Sequence, residues 1–166
     1  SADQQRTTLE RRIFELEREL AARHCTALPP APPDPSAPLT PEGWDSGDLA
    51  MLQGCWSLDT RYRTRDVDTG VIRHYDHWQM CFDARGNGTQ TMRASDGMEC
   101  SGPVTAGFNG AQLSLIEPGN LPCADGGYIH QRQITCTAAA AGRASCATEQ
   151  PETGGRATVT FARPPG

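Results

Sequence analysis

The sequence predicts a mainly β protein: an eight-stranded antiparallel up-and-down barrel preceded by an N-terminal α-helix and a Pro-rich linker. Three observations predict it. From residue 54 onward, turn-forming dipeptides recur at intervals of about 10–15 residues, the rhythm of an all-β chain. Seventeen Gly and thirteen Pro among 166 residues argue against a helical bundle. Sequentially linked antiparallel strands, moreover, remove their exposed edges most economically by closing on themselves.

The first element is a helix over residues 1–24, strongest from 4 onward. Its Leu, Glu, Arg and Ala are good helix formers, and Thr7 with Glu10 offers a capping box. Leu9, Ile13, Leu16 and Leu20 are spaced 4, 3, 4, the seam of a coiled coil, flanked by Arg11, Glu15, Glu17, Arg18 and Glu19. Two heptads are marginal alone. Two readings follow: the end of a longer coil that joins copies through residues 4–24, or a helix covering the barrel.

Residues 25–46 form the linker, with Pro29, Pro30, Pro32, Pro33, Pro35, Pro38 and Pro41 favouring a stiff, extended spacer. A helical turn is expected within 45–52, capped by Asp45 or Ser46. The barrel domain is then 47–166, with strands at 54–64, 71–83, 88–95, 98–105, 111–117, 127–137, 143–149 and 156–163. Asn87-Gly88, Asp96-Gly97 and Asn109-Gly110 are its strongest hairpin signals.

Seven Cys with no C-x-x-C spacing point to disulfides rather than zinc or redox motifs, and disulfides imply an oxidising compartment. Opposed residues of an antiparallel hairpin have a constant index sum. A first turn centred on Asp68 opposes Cys55 to Cys81, Trp56 to Met80, Leu58 to Trp78 and Tyr62 to His74. Period-2 alternation then gathers Trp56, Tyr62, His74, Asp76, Trp78 and Met80 on the inner face. Cys136 and Cys146 oppose each other about Ala141, and Cys100 with Cys123 make the third bridge. If Cys136 faces outward, Gln131, Gln133 and Thr135 face inward. Cys25 is left over at the junction of helix and linker, an interchain bridge or a free thiol.

Gly54-x-Trp56, preceded by Leu52, resembles the G-x-W start of the lipocalins and the related avidin-type barrels. The resemblance implies a lipocalin-like barrel whose floor is closed by Trp56 and whose interior can hold a small molecule. The second and third lipocalin motifs and the biotin-site residues have no match here. The whole layout of coil, Pro-rich linker and strands, with Trp78-Gln79-Met80-Cys81-Phe82-Asp83 and Ile134-Thr135-Cys136, is similar to the envelope-exposed C-terminal part of the bacterial SrfA-type proteins, named for a virulence-associated operon.

A net charge of −5 removes the footprint of a nucleic-acid binder, and no apolar run is long enough for a membrane span. No nucleophile elbow, phosphate loop or metal-ligating spacing occurs, so no catalytic residue, metal or cofactor is assigned. His74 and His77 lie three apart on a strand and point to opposite faces. The expected function is a non-enzymatic extracytoplasmic interaction or structural module of a bacterial envelope system. It would be periplasmic or otherwise extracytoplasmic, anchored by sequence upstream, and would engage a protein partner in the cell envelope. The alternative is a small-ligand carrier lined by Trp56, Tyr62, His74, Asp76 and Trp78.

Overall fold

A computed structural model describes residues 1–26 and 37–164, with side chains described through Leu20 in the first stretch. The Pro-rich run 27–36 and the side chain of Cys25 lie outside the described residues. The chain divides into two compact units, Ser1–Pro32 and Pro33–Gly166.

The first unit is helix α1, Ala2–Thr26. It starts earlier than the capping box at Thr7 implies. The Thr7 hydroxyl instead donates to the Asp3 carbonyl one turn back, and Ser1 Oγ accepts from the Gln4 N–H. Leu9, Ile13, Leu16 and Leu20 are each about half to two-thirds exposed, as is Phe14. Ion pairs Arg6–Glu10 and Arg12–Glu15 lace the polar surface.

The second unit begins with structure that the sequence assigns to the linker. Pro41–Ser46 is a short helix, α2, because Thr40 accepts the Gly43 N–H and Gly47 closes the C-terminus at φ 66°. Leu39 and Trp44 are buried in the core, with the Trp44 ring edge-on to Phe108. The spacer therefore ends well before residue 46. A 3-10 turn follows at Leu49–Leu52, capped by Asp48 rather than Asp45 or Ser46.

The strands are β1 (Gly54–Leu58), β2 (Tyr62–Arg65), β3 (Ile72–Phe82), β4 (Asn87–Ala94), β5 (Glu99–Asn109), β6 (Gln112–Ile116), β7 (Leu121–Pro122), β8 (Tyr128–Ile129), β9 (Gln133–Ala139), β10 (Arg143–Gln150) and β11 (Gly155–Ala162). β1 and β2 are two pieces of one broken strand, since both pair with β3. With β3 to β6 and β9 to β11 they make the eight expected staves. Each stave pairs with its neighbour, and β1 meets β11 through Ser57–Ala162 and Leu58–Phe161, which closes the barrel. The expected strand 127–137 is two elements. Its first part belongs to a side hairpin, β7–β8, and only β9 enters the wall.

The three disulfides are Cys55–Cys81, Cys100–Cys123 and Cys136–Cys146. The first is cross-strand on the outer face. Cys136–Cys146 is also cross-strand, but both sulfurs face inward, with each residue 1% exposed. The condition of an outward Cys136 is therefore not met. Ile134 and Arg132 share its inner parity, and Gln131 and Gln133 are exposed, not inward.

At the closed end of the barrel, Trp56 lies under Arg163. The guanidinium sits 3.8 Å from the ring centroid and donates to the carbonyls of Ala37, Met51 and Cys55. The Trp56 indole N–H donates to the Leu52 carbonyl at 2.9 Å. Gly54 takes φ 103°, open only to glycine, which is why a Gly precedes the Trp at this spacing. The end of the last strand is thus tied to the segment that precedes the first.

Two stability outcomes follow from this architecture. C136A/C146A removes a bridge closing a short loop and will lower unfolding free energy by about 2–3 kcal/mol in urea titration. Ala141 stands at φ 61° in the β9–β10 turn, strained for a residue with a Cβ. A141G relieves it and will raise the urea midpoint by the equivalent of about 0.5–1 kcal/mol; a lowered midpoint would contradict that account.

Candidate functional site

The barrel interior is built around a buried ion pair that the alternation of the strands does not announce. Glu117 follows β6 and Arg132 precedes β9, and the β6–β9 register places them opposite each other, one step past Ile116–Gln133. Both side chains are at most 1% exposed. Two of the guanidinium nitrogens grip the carboxylate: Nε donates to Oε1 at 2.9 Å and Nη2 to Oε2 at 2.8 Å. The Arg132 backbone N–H adds a third bond to Oε1 at 2.8 Å.

The network extends inward. Gln90 donates to Glu117 Oε2 at 2.6 Å and accepts from the Trp78 indole N–H at 3.0 Å and from Arg132 Nη2 at 3.3 Å. The guanidinium stacks over Trp78 at 4.4 Å and lies 5.6 Å from the Tyr62 ring centroid. Trp78 in turn packs against Tyr62 and edge-on against Phe161, each at 5.0 Å. Burial pulls the Arg132 pKa down, but the hydrogen bonds and charge of Glu117 outweigh it and hold the pKa above its ordinary value. The guanidinium is charged and paired with Glu117. It lies inside the barrel against the Trp78 and Tyr62 rings.

The residues proposed to line a ligand cavity separate into two groups. Trp56, Tyr62 and Trp78 are inside and buried, Trp56 at the floor and the other two against Arg132. His74 and Asp76 are exposed on the outer face. The physical reason is a bulge in β3. Pairing with β4 shifts by one residue between Tyr75 and His77, so the parity of the outer end inverts and Tyr75 points inward instead. Correspondingly, Tyr62 opposes Tyr75 rather than His74.

Two clefts flank β2, and each reaches a residue of the packed interior, Tyr62 in one and Tyr75 in the other. One, of about 400 Å³, lies under the β2–β3 hairpin and is bordered by Tyr75, Tyr128, Ile129 and His130. There the His130 ring meets Glu152 at 2.8 Å and Tyr128 edge-on. The other, of about 610 Å³, runs along the seam between β2 and the β10–β11 hairpin, lined by Arg63, Arg65, Ile72, Thr148 and Arg156. It exists because the chain peels away from β11 after Leu58. The Thr160 carbonyl still accepts the Asp59 N–H, but the Thr160 N–H goes to the Thr60 hydroxyl instead of a backbone carbonyl. An Arg143–Asp59 ion pair at 2.8 Å fixes the departure point.

No protein family, curated protein or solved structure matches the chain. The closed eight-stranded antiparallel barrel is compatible with a lipocalin-like fold. Nothing in the comparisons supports kinship with the SrfA-type proteins.

Sequence reasoning missed Arg132, Glu117, Gln90 and Arg163. For the first two a signal was present: their index sum equals that of the β6–β9 ladder, but the ladder itself had to be known. R132M leaves the Glu117 carboxylate buried without its cation and will cost about 3–5 kcal/mol in urea denaturation. R132M/E117M replaces both partners by apolar groups and will be less destabilised than R132M alone. A double variant as unstable as the sum of the two singles would show that the pair is not coupled.

Proposed function

We propose that the protein is a non-enzymatic interaction module working in an oxidising, extracytoplasmic setting as part of a bacterial cell-envelope system, presented by its N-terminal helix and linker. One observation carries this reading above the others: the space where a barrel protein would hold a ligand is occupied by Trp78, Tyr62, Phe161 and the Arg132–Glu117–Gln90 network. A ligand carrier needs apolar room with a few convergent polar groups, and here the polar groups are already satisfied by one another. Recognition is then left to the outer surface. Three disulfides in a barrel of modest core fit an oxidising compartment. No described helix is long and apolar enough to cross a membrane. The exposed Leu9, Ile13, Leu16 and Leu20 stripe supports assembly of copies through α1.

The test has two arms. Titration of the oxidised protein with an apolar fluorescent dye, read through tryptophan emission, will give no saturable binding. A saturable site that quenches Trp78, and that is lost in a variant enlarging the interior polar network, would favour the carrier reading instead. In the second arm, light scattering of the full chain will give a mass above that of one copy. The substitutions L9E/L16E will return it to a monomer, with the barrel unchanged by circular dichroism. An identical mass for both proteins would leave the stripe without a partner of its own kind.

A further inference from the structure

The seam cleft has backbone on both walls. On one side, Asp66 donates its N–H to the Val71 carbonyl, so alternation along the ladder turns the N–H and C=O of Asp66, Thr64 and Tyr62 toward β3. Those of Arg63 and Arg65 point the other way, into the cleft. On the opposite wall, Thr160 directs both its backbone groups toward the β1 side. The β10–β11 register runs without a shift, so Thr158 and Arg156 face the cleft as well. No strand pairs with either of these edges among the described residues. A barrel that closes at Leu58 is therefore left with a wedge-shaped opening in its wall, edged by unused donors and acceptors.

The side chains around that opening have a definite character. Arg63 and Arg65 are exposed, and neither forms an ion pair among the described residues. Arg156 lies across from them, paired with Glu149 at 3.2 Å. Asp66 is the acidic group on the rim, and its carboxylate is already turned back onto the N–H groups of Asp68 and Thr69. Val67 and Ile72, 61% and 42% exposed, supply apolar surface at the same rim. This cationic patch stands out on a chain with net charge −5.

We propose that the β2 edge of this seam is a docking site for an extended acidic peptide segment of a partner protein, which adds a strand beside Arg63 and Arg65. The peptide's main chain pairs with the free backbone groups, its carboxylates meet the guanidinium groups on one face, and its alternate side chains turn to the opposite face. The inference rests on the interaction reading and names where and what the module binds. Charged side chains on an edge also serve to repel other strands. Edge charges that serve only to keep other strands away would leave an acidic peptide without measurable binding, and the experiment uses that difference.

The oxidised full chain, labelled with ¹⁵N, is titrated with an acetylated, amidated octapeptide alternating Glu and Val, and separately with its Lys–Val counterpart. The Glu–Val peptide will shift the amides of Arg63, Arg65, Arg156 and Thr158 and slow hydrogen exchange at Arg63 and Arg65; the Lys–Val peptide will not. R63E/R65E will weaken binding by about tenfold or more, and raised salt will weaken it in the unmodified protein. R65P, which removes an N–H facing the cleft, will bind less tightly than R65A, which removes only the charge. Should R65P fail to fold, a Glu–Val peptide N-methylated on alternate residues tests the same backbone bonds and will bind more weakly. Absence of binding at millimolar peptide, equal binding of the two peptides, or shifts confined to interior residues would each overturn the proposal. If the peptide fails while the interior binds no dye, only this seam site falls. If dye fills the interior, the interaction reading falls with it.

Discussion

The structure depends on the burial of one guanidinium. A barrel of eight staves encloses a lumen that must be filled by side chains, water or ligand. Here Arg132 enters from the start of β9 and is held by Glu117, Gln90 and the faces of Trp78 and Tyr62. A buried charge without such partners would be prohibitive. With them, its desolvation is offset, and a flat cation packs like another aromatic ring. Trp78 is fully buried with its indole N–H on Gln90, and Gln90 is buried with its other end on Glu117. The upper half of the core is thus a connected set in which each polar atom is satisfied by the next.

The lower half uses the same chemistry in a different role. Arg163, at the end of the chain, lies over Trp56 and donates to carbonyls of residues that precede β1. It links the two ends of the barrel domain across the point of closure. Between Arg163 and Arg132 the wall is joined at only two residues of β1, Ser57 and Leu58. Beyond them the first stave breaks, and the ladder to β11 ends in a bond to a side chain rather than to backbone. Closure and opening are therefore set by neighbouring residues of one strand.

Much of the wall was legible because disulfides and hairpins are arithmetic. Cys55–Cys81 with Trp56–Met80 follow from one index sum, and Cys136–Cys146 from another. What arithmetic cannot supply is an inserted residue. A single extra residue at Asp76 inverts the parity of the outer end of β3, so His74 and Asp76 leave the lumen and Tyr75 enters it. No strong turn former marks the site, since the bulge is stabilised by what it buries. Arg132 was hidden for the complementary reason. An outward Cys136 would put Arg132, of the same parity, outside too, and a charged residue raises no objection to being exposed. Only the partner, fifteen residues away and unknown until β6 and β9 are paired, makes its burial possible. The helical end of the linker escaped because Pro41, read as a spacer residue, sits at the first turn of α2, where proline is tolerated.

The bulge and the seam are linked. Relative to β4, β3 carries one extra residue; relative to β3, the broken first stave carries another, since Ser57 opposes Gln79 while Tyr62 opposes Tyr75. Two successive insertions leave Tyr62 with the same inward parity as Trp56, which is what lets it pack on Trp78. The extra length is accommodated at Asp59–Arg61, where the chain swings away from β11. A first stave without the insertions would stay paired with β11 along its length and close the cleft, but it would then lose the register that places Tyr62 opposite Tyr75. The filled interior and the open seam are, on this account, two consequences of the same local irregularity. A barrel whose lumen is filled by Arg132, Trp78 and Tyr62 keeps an unpaired edge in its wall.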